Sequence, residues 1–357
     1  MTETLDIKYY APGFKIEIEG SELDPMAARI VESVTITKKL GQADYFCFRV
    51  TDRLKRGNLH LINDKLFKTG NRVTLSIGYR PNNFIKMQGH IEKVKPEFQQ
   101  GVMASFEVEG KDKALARLAE ESEYRCYTRK KDSDIVKSIA CEIGLSPRVD
   151  TTPGPAPEKK EKKGGTSFLL FIQKMVRQNM GFEFIVTDGK LVFRKALTRI
   201  SPVVSLEWGK LLRSFKPVED LKQVITGVIV QWWDEKKREP IIGRAGINDE
   251  IPVGTGRTAG KIAKRAYGDI EKTITDEPVD SNQEAKNIAI SVLCDTNKAF
   301  VTAAGETLGE PKIEPGVMIE LKALGQRFSG IYYVDEVTHA ISSDQYSTKF
   351  CVRRNTA

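Results

Sequence analysis

Three runs crowded into the last part of the chain constrain its fold more than any other feature. Val317-Met318-Ile319-Glu320-Leu321 follows a Pro315-Gly316 turn. Gly330-Ile331-Tyr332-Tyr333-Val334-Asp335-Glu336-Val337-Thr338-His339 comes next, and Tyr346-Ser347-Thr348-Lys349-Phe350-Cys351-Val352-Arg353-Arg354 closes the set. Each run is dense in β-branched and aromatic residues and is bounded by Gly, Pro, Ser, Asp or Asn. Together they predict three antiparallel strands closing a small barrel or sheet.

The first part of the chain carries the same signal in another form. Val73, Leu75, Ile77 and Tyr79 fall on one face of a two-residue alternation, and Met103 to Val108 repeats the pattern. Further strands are expected at Phe14 to Gly20, Val31 to Thr37, Tyr45 to Val50 and Phe84 to Val94. Residues 1–111 therefore read as a first all-β domain, most simply a barrel whose closure removes exposed edges.

From residue 112 the period changes. Asp112 to Glu120, Asp132 to Leu145 and Ser167 to Asn179 place apolar residues three and four apart. The second helix has Asp132 or Ser133 as its expected N-cap and Gly144 as its stop, and the third starts at Ser167 with Gly181 beyond its end. Residues 112–214 form an expected α/β middle domain. It holds a flexible Pro/Lys-rich loop, 152–165, because prolines, glycines and alternating Lys and Glu bury too little apolar surface to offset the entropy of ordering.

Strand character returns at Leu221 to Trp233. The simplest accounting joins 215–238 and 308–357 in a second barrel, split by an inserted segment 239–307 that contains a long helix from about Ser281 to Gly305. Ser281-Asn282-Gln283-Glu284 is a capping-box pattern, followed by a stripe of Ala285, Ile288, Ala289, Val292 and Leu293. The expected class is α+β, mainly β: two small antiparallel barrels, an α/β middle region and a helical insertion in the second barrel.

Composition bounds the function. The 357 residues suffice for two to four domains of about 100 to 150 residues each. An apolar share of 40% with 29% charged residues is that of an ordinary globular chain. The start, Met1 to Asp6, lacks a signal-peptide pattern, and no apolar stretch approaches the roughly 18 residues of a membrane span, so no membrane insertion by the chain itself is expected. Nearly all of the net charge of +8 lies between Thr151 and Phe215, densest at Glu158-Lys159-Lys160-Glu161-Lys162-Lys163. With no recognition helix or stacking platform beside it, this run reads as a solubilising linker and no specific nucleic-acid binding is expected.

The candidate chemistry is sparse. Gly254-Thr255-Gly256-Arg257-Thr258-Ala259-Gly260-Lys261 looks like a phosphate loop, but a P-loop needs four residues between its glycines and a Ser or Thr after its lysine. Here Gly256 to Gly260 leaves three, Gly254 to Gly260 leaves five, and Ile262 follows Lys261. The segment reads as a flexible basic loop. His60, His90 and His339 are isolated, and His339 is expected to make structural hydrogen bonds. Cys47, Cys126, Cys141, Cys294 and Cys351 are scattered singly, which fits small buried hydrophobes better than a disulfide frame or zinc site. Trp232 and Trp233 point to opposite faces of a strand, one into a core and the other free to anchor an interface. No catalytic, cofactor-binding or metal-binding residue is expected, and the chain is expected not to be an enzyme.

The order of these signals resembles the phage late control gene D family, which supplies the hub of contractile tails and the front half of VgrG proteins. The resemblance rests on the three C-terminal runs, on Phe215-Lys216-Pro217 with Gln223 to Asp234, and on the unit of Ser167 to Arg177, Gly181 to Phe184 and Gly189 to Arg194. It spans roughly residues 100 to 357. It implies a homotrimeric baseplate hub of a phage tail or related injection particle, adapting a six-fold tube to a three-fold spike. The implied partners are the tail spike, tail tube, tape-measure and baseplate wedge proteins. A spike on a separate polypeptide is expected, because the sequence stops after the second barrel. Assembly is expected in the bacterial host cytoplasm, with the product in the virion tail or injection-particle baseplate. A tail-associated peptidoglycan hydrolase is the alternative.

Overall fold

The computed structural model describes residues 12–23, 28–52, 54–55, 58–59, 61–79, 83–195, 201–235, 237–342 and 345–357. The fold is mainly β. Its first part contains β1 (Pro12–Ile18), β2 (Ser21–Glu22), β3 (Val31–Lys39), β4 (Tyr45–Thr51), β5 (Leu54–Lys55), β6 (Asn58–Leu59), β7 (Arg72–Tyr79), β8 (Asn83–Glu97) and β9 (Ser105–Lys111). The expected alternation holds: Val34, Ile36, Phe46, Phe48, Val73, Leu75, Ile77 and Val108 all point into one core and are fully buried. Neighbouring strands run antiparallel throughout.

The middle region contains β10 (Arg125–Thr128), β11 (Ser146–Val149), β12 (Lys159–Lys162), β13 (Phe182–Thr187) and β14 (Lys190–Lys195), with helices Ala114–Ala119, Asp132–Glu142 and Phe168–Gln178. The Ser167 hydroxyl accepts from Leu170 N at 3.2 Å and so caps its helix as expected. Gly144 takes φ +77°, and Leu145 N bonds Ala140 O at 2.8 Å, which closes the second helix in a Schellman turn. The N-cap of that helix is Lys131, one residue before the expected pair, because the Asp132 carboxylate bonds Asn179 and Lys160 instead.

The loop 152–165 is corrected in its second half. Residues Lys159–Lys162 form β12, antiparallel to β10. Lys162 is fully buried, and its ammonium donates to Ser122 O, Thr166 O and Lys163 O at 3.0, 2.8 and 3.3 Å. A lysine without a counter-ion is held inside because all three of its donors find carbonyls, although burial still pushes its pKa down.

The remaining strands are β15 (Ser205–Glu207), β16 (Leu212–Glu219), β17 (Gly227–Asp234), β18 (Glu239–Gly246), β19 (Glu271–Ile274), β20 (Val301–Leu308), β21 (Met318–Lys322), β22 (Gly330–Ser342) and β23 (Gln345–Arg354). The three C-terminal strands stand where the sequence put them. The pairing expected for Leu221 to Trp233 does not hold: β17 pairs with β18 and β19 in a separate three-stranded sheet backed by helix Asn282–Asn297. The strand that leads into the C-terminal sheet is β16, which carries Phe215-Lys216-Pro217 and pairs with β20. The long helix also ends sooner than expected, at Asn297, and Val301 to Leu308 continue as strand. Ala303 and Ala304 favour a helix, but Val301 and Ala303 face the core with a period of two, and packing overrides propensity.

One sheet of 13 strands unites both β halves in the order β16-β20-β23-β22-β3-β4-β9-β8-β7-β1-β2, with β15 and β21 branching from β22. Along one edge β22 pairs first with β21 and then with β3, while β23 covers its other edge. Among the described residues neither half closes into its own hydrogen-bonded ring. Two cores sit on this shared sheet, one in each half.

Candidate functional site

The most elaborate chemistry lies where the β22–β3 seam meets the middle region. Lys38 shares a strand face with Val34 and Ile36 and is 1% exposed. Its ammonium reaches Asp188 Oδ1 and Oδ2 at 3.1 and 3.2 Å, Thr187 Oγ1 at 3.3 Å and Glu314 Oε1 at 3.3 Å. Burial pushes the Lys38 pKa down, but Glu314, Asp188 and Asp44 together outweigh it, so the net shift is upward and the charge is kept. Thr187 donates its hydroxyl to Asp44 Oδ2 at 3.1 Å, and burial pushes that carboxyl up to about 7 against the opposing pull of Lys38. The tip of the β13–β14 hairpin is thereby fastened to β3 and to the loop before β21.

A second fastening lies nearby. Arg194 Nε donates to Glu183 Oε1 at 2.8 Å, its guanidinium also bonds Gly316 O, and the Tyr333 hydroxyl bonds the other oxygen of Glu183. Gly316 has φ +83°, and a Cβ there would lie 2.5 Å from Ile185 Cδ1. The Pro315-Gly316 turn therefore favours glycine for its left-handed backbone, while the nearby Ile185 and Arg194 side-chain ends would have to shift for a larger residue. Beside this contact a cavity of about 260 Å3 opens between Leu40, Phe182, Ile251, Ile290 and Cys294.

The segment resembling a phosphate loop is pinned rather than flexible. Arg257 N bonds Ala357 O at 2.9 Å, and Gly260 N, in the first turn of helix Ala259–Tyr267, bonds Glu250 Oε2 at 3.0 Å. Asn355 Nδ2 holds the other oxygen of Glu250 at 3.1 Å. The place at a helix N-terminus where an anion would sit is filled by the chain's own buried carboxylate.

His339 is fully buried and hydrogen-bonded, as expected: Nε2 donates to Ile313 O at 3.0 Å, while Nδ1 faces the Tyr346 and Thr348 hydroxyls at 2.8 and 3.1 Å. Burial pushes its pKa down to about 3, so the ring stays neutral. His90 lies on β8, remote in the ladder from His339 on β22, and His60 falls outside the described residues. Of the cysteines, Cys294 is buried and Cys47 half-buried, but Cys126, Cys141 and Cys351 are exposed, against the expectation of buried hydrophobes. Each of those three is on an outward strand or helix position, which a lone cysteine's identity does not reveal.

A grouping missed in the sequence is Cys47, Glu107 and Glu109, whose donor atoms lie within 4.8 Å of one another. It follows from the register of β4 against β9, which places Cys47 opposite Glu109. Burial and Glu107 push the Cys47 thiol up to about 12, while the hydrogen bond from Lys95 pulls the Glu109 carboxyl down, so a protonated thiol sits beside a carboxylate already paired with a lysine. The two adjacent tryptophans divide as expected: Trp232 packs against the core behind β17, and Trp233 is 54% exposed on the outward face beside Pro240 and Ile242. No helix among the described residues is long and apolar enough to cross a membrane.

The fold is similar to that of solved phage tail proteins. The 43 kDa tail protein of prophage MuSo2 from Shewanella oneidensis is 13% identical, with a TM-score of 0.74 over 96% of this chain and 98% of that one. A tail protein from Neisseria meningitidis MC58 is 15% identical, with a TM-score of 0.70 over 96% and 97% of the two chains. The E. coli c3393 protein, described as a type VI secretion component similar to T4 tail proteins gp27 and gp5, is 12% identical with a TM-score of 0.54 over 95% and 76%. The chain thus has the fold of phage tail and baseplate proteins, as the resemblance of its sequence implied. A family model described as the Alg8 N-terminal domain matches residues 10–343, and the chain belongs to that family. No curated protein sequence matches it.

Proposed function

We propose that this protein is the baseplate hub of a contractile phage tail or phage-like injection particle, a structural protein and not an enzyme. The full-length correspondence with prophage tail proteins carries this reading, since it spans nearly the whole of both chains. The functional unit is a homotrimer around a central channel. Each protomer contributes two related β modules, one built from β1, β3, β4 and β7–β9 and the other from β15, β16 and β20–β23, so that three chains present six similar modules to a six-fold tail tube. Each module curls as a barrel about its own core. The partners are the tail tube and tape-measure proteins on one side, a central spike on the other and wedge proteins around the ring. The protein assembles in the bacterial cytoplasm and ends in the tail. A closed ring needs heterologous contacts, one patch against a different patch of the neighbour.

Solution mass by light scattering across a concentration series tests this. A trimer, alone or on addition of its spike, is the expected result, and a stable dimer or tetramer overturns the adapter mechanism. Cell-wall zymography separates the alternative: clearing lost on a single carboxylate substitution would make the protein a peptidoglycan hydrolase.

A further inference from the structure

The lysine-rich run is the strongest sequence feature that a tail role leaves unused. In the structure it lines a polar cleft of about 700 Å3 between the middle region and the start of helix Asn282–Asn297. The acidic groups at its base are already engaged. Asp132 accepts from Lys160 Nζ at 2.5 Å and from Asn179 Nδ2 at 2.6 Å. Lys160 also bonds Gln178 Oε1 at 2.8 Å, the Gln178 amide bonds Glu284, and the second oxygen of Glu284 accepts from Asp280 N at 2.8 Å. The cations are not so engaged. Lys163, exposed, and Lys174, half-buried, form no ion pair among the described residues, and Lys131 reaches only Thr152 O at 3.5 Å. Pro153, Pro155 and Pro157 add an apolar, conformationally restricted surface to the same cleft.

We propose that this cleft binds an extended acidic segment of a partner polypeptide. Carboxylates of such a segment meet Lys131, Lys163 and Lys174, its backbone N–H groups meet the side-chain oxygen of Gln283, and its aliphatic parts lie on the prolines. A nucleic acid fits less well. The cleft's one aromatic, Phe171, is 4% exposed and offers no face for a base. The site goes beyond the hub reading and stands whether or not the chain trimerises.

The test is fluorescence anisotropy of a labelled dodecapeptide of alternating glutamate and glycine on the full chain at low salt. Lys163→Glu and Lys174→Glu should each weaken binding roughly fivefold, and added salt should weaken it further. Lys86→Glu, the same charge change on the exposed face of β8, should leave it nearly unchanged. Unaltered circular dichroism keeps the Lys163 variant interpretable, since that side chain is exposed. Absence of peptide binding, equal weakening by Lys86→Glu, or tighter binding of a 12-nucleotide single-stranded DNA overturns the proposal.

Discussion

In the first β half Phe46 stands directly opposite Gly110 on the neighbouring strand, and in the second half Phe350 stands opposite Gly305 in the same relation. A Cβ at Gly110 would lie 2.4 Å from the Phe46 ring, and one at Gly305 would lie 2.5 Å from the Phe350 ring. Each half thus lays an aromatic ring over a cross-strand glycine, a pairing that fills the space the glycine leaves. The halves differ in how the chain supplies them. The first is drawn from one continuous stretch. The second takes β15 and β16, then β20, then β21–β23, with the β17–β19 sheet and its helix interposed. Equal packing solutions therefore arise from unequal chain paths, and local pattern alone does not distinguish them.

Dependence on β22 and β23 offers the largest test of that comparison. Ile341 and Tyr346 belong to the first core, while Val337 and Phe350 belong to the second. Ending the chain before Lys312 should therefore unfold both halves, including the one whose own strands are all retained. Far-UV circular dichroism and sedimentation of the truncated chain check this. A soluble, cooperatively melting first half would break the claim that the halves share one hairpin.

The glycine pairs sharpen it. At Gly110 a side chain would also meet the His90 carbonyl oxygen at 2.2 Å, a backbone atom that cannot turn away, whereas Gly305 meets only the Phe350 ring. Gly110→Val should cost about 3 kcal/mol or more and Gly305→Val about 1 to 3 kcal/mol, read as shifts of the urea midpoint. Equal losses would mean that the ring, and not the backbone, sets the limit at both sites.

What the sequence made legible follows the same division. Alternation named the main strands of the first half and the three C-terminal strands of the second, because one face of each is buried and the period of two is local, but it missed β15 and left most of β20 inside an expected helix. The caps at Ser167 and Ser281 and the stop at Gly144 were equally local. Partner choice was not: Gly227 to Asp234 has the composition of a central strand, and nothing within it says that β18 and β19, far along the chain, take its edges. Lys162 looked like any lysine in a solvated run, since its cage joins two carbonyls of the turn just after it to the carbonyl of Ser122, forty residues earlier. Lys38 did leave a trace. It falls on the inward face shared by Val34 and Ile36, where a lysine is out of place unless it is paired.

Lys38 also measures the seam between the halves and the middle region. Lys38→Met should leave Asp188 and Glu314 without their cation. Because those carboxylates are 30% and 39% exposed, the cost should be about 1 to 3 kcal/mol rather than the larger loss of a fully buried pair. Adding Asp188→Asn should recover part of it. Additive losses in the double-mutant cycle would show that the ammonium and the carboxylate act independently.

The finest separation comes from pH, where two groups with opposite signs distinguish the seam from the second half. Asp44 titrates near 7 in the folded protein and near 3.8 when unfolded, because burial disfavours its charge. The folded state therefore holds the extra proton between those values. The contribution of Asp44 is full below about 3.8 and is lost as pH rises toward 7. His339 is the reverse. Its folded value of about 3 lies below the ordinary 6.5, so its contribution is present above 6.5 and is lost as pH falls toward 3. Relative to the unmodified protein, Asp44→Asn should gain stability as pH rises from about 4 to 7 and then level off, with a slope of up to about 1.4 kcal/mol per pH unit. His339→Gln should gain in the other direction, as pH falls from 6.5. Urea titrations from pH 4 to 8 measure both difference profiles. Because the two terms oppose each other between about pH 4 and 6.5, they largely cancel in the unmodified protein, and the variants expose each slope separately. A flat difference profile for Asp44→Asn would mean that the carboxyl beside Lys38 titrates as an ordinary aspartate, and that the ammonium overcomes the burial of the seam.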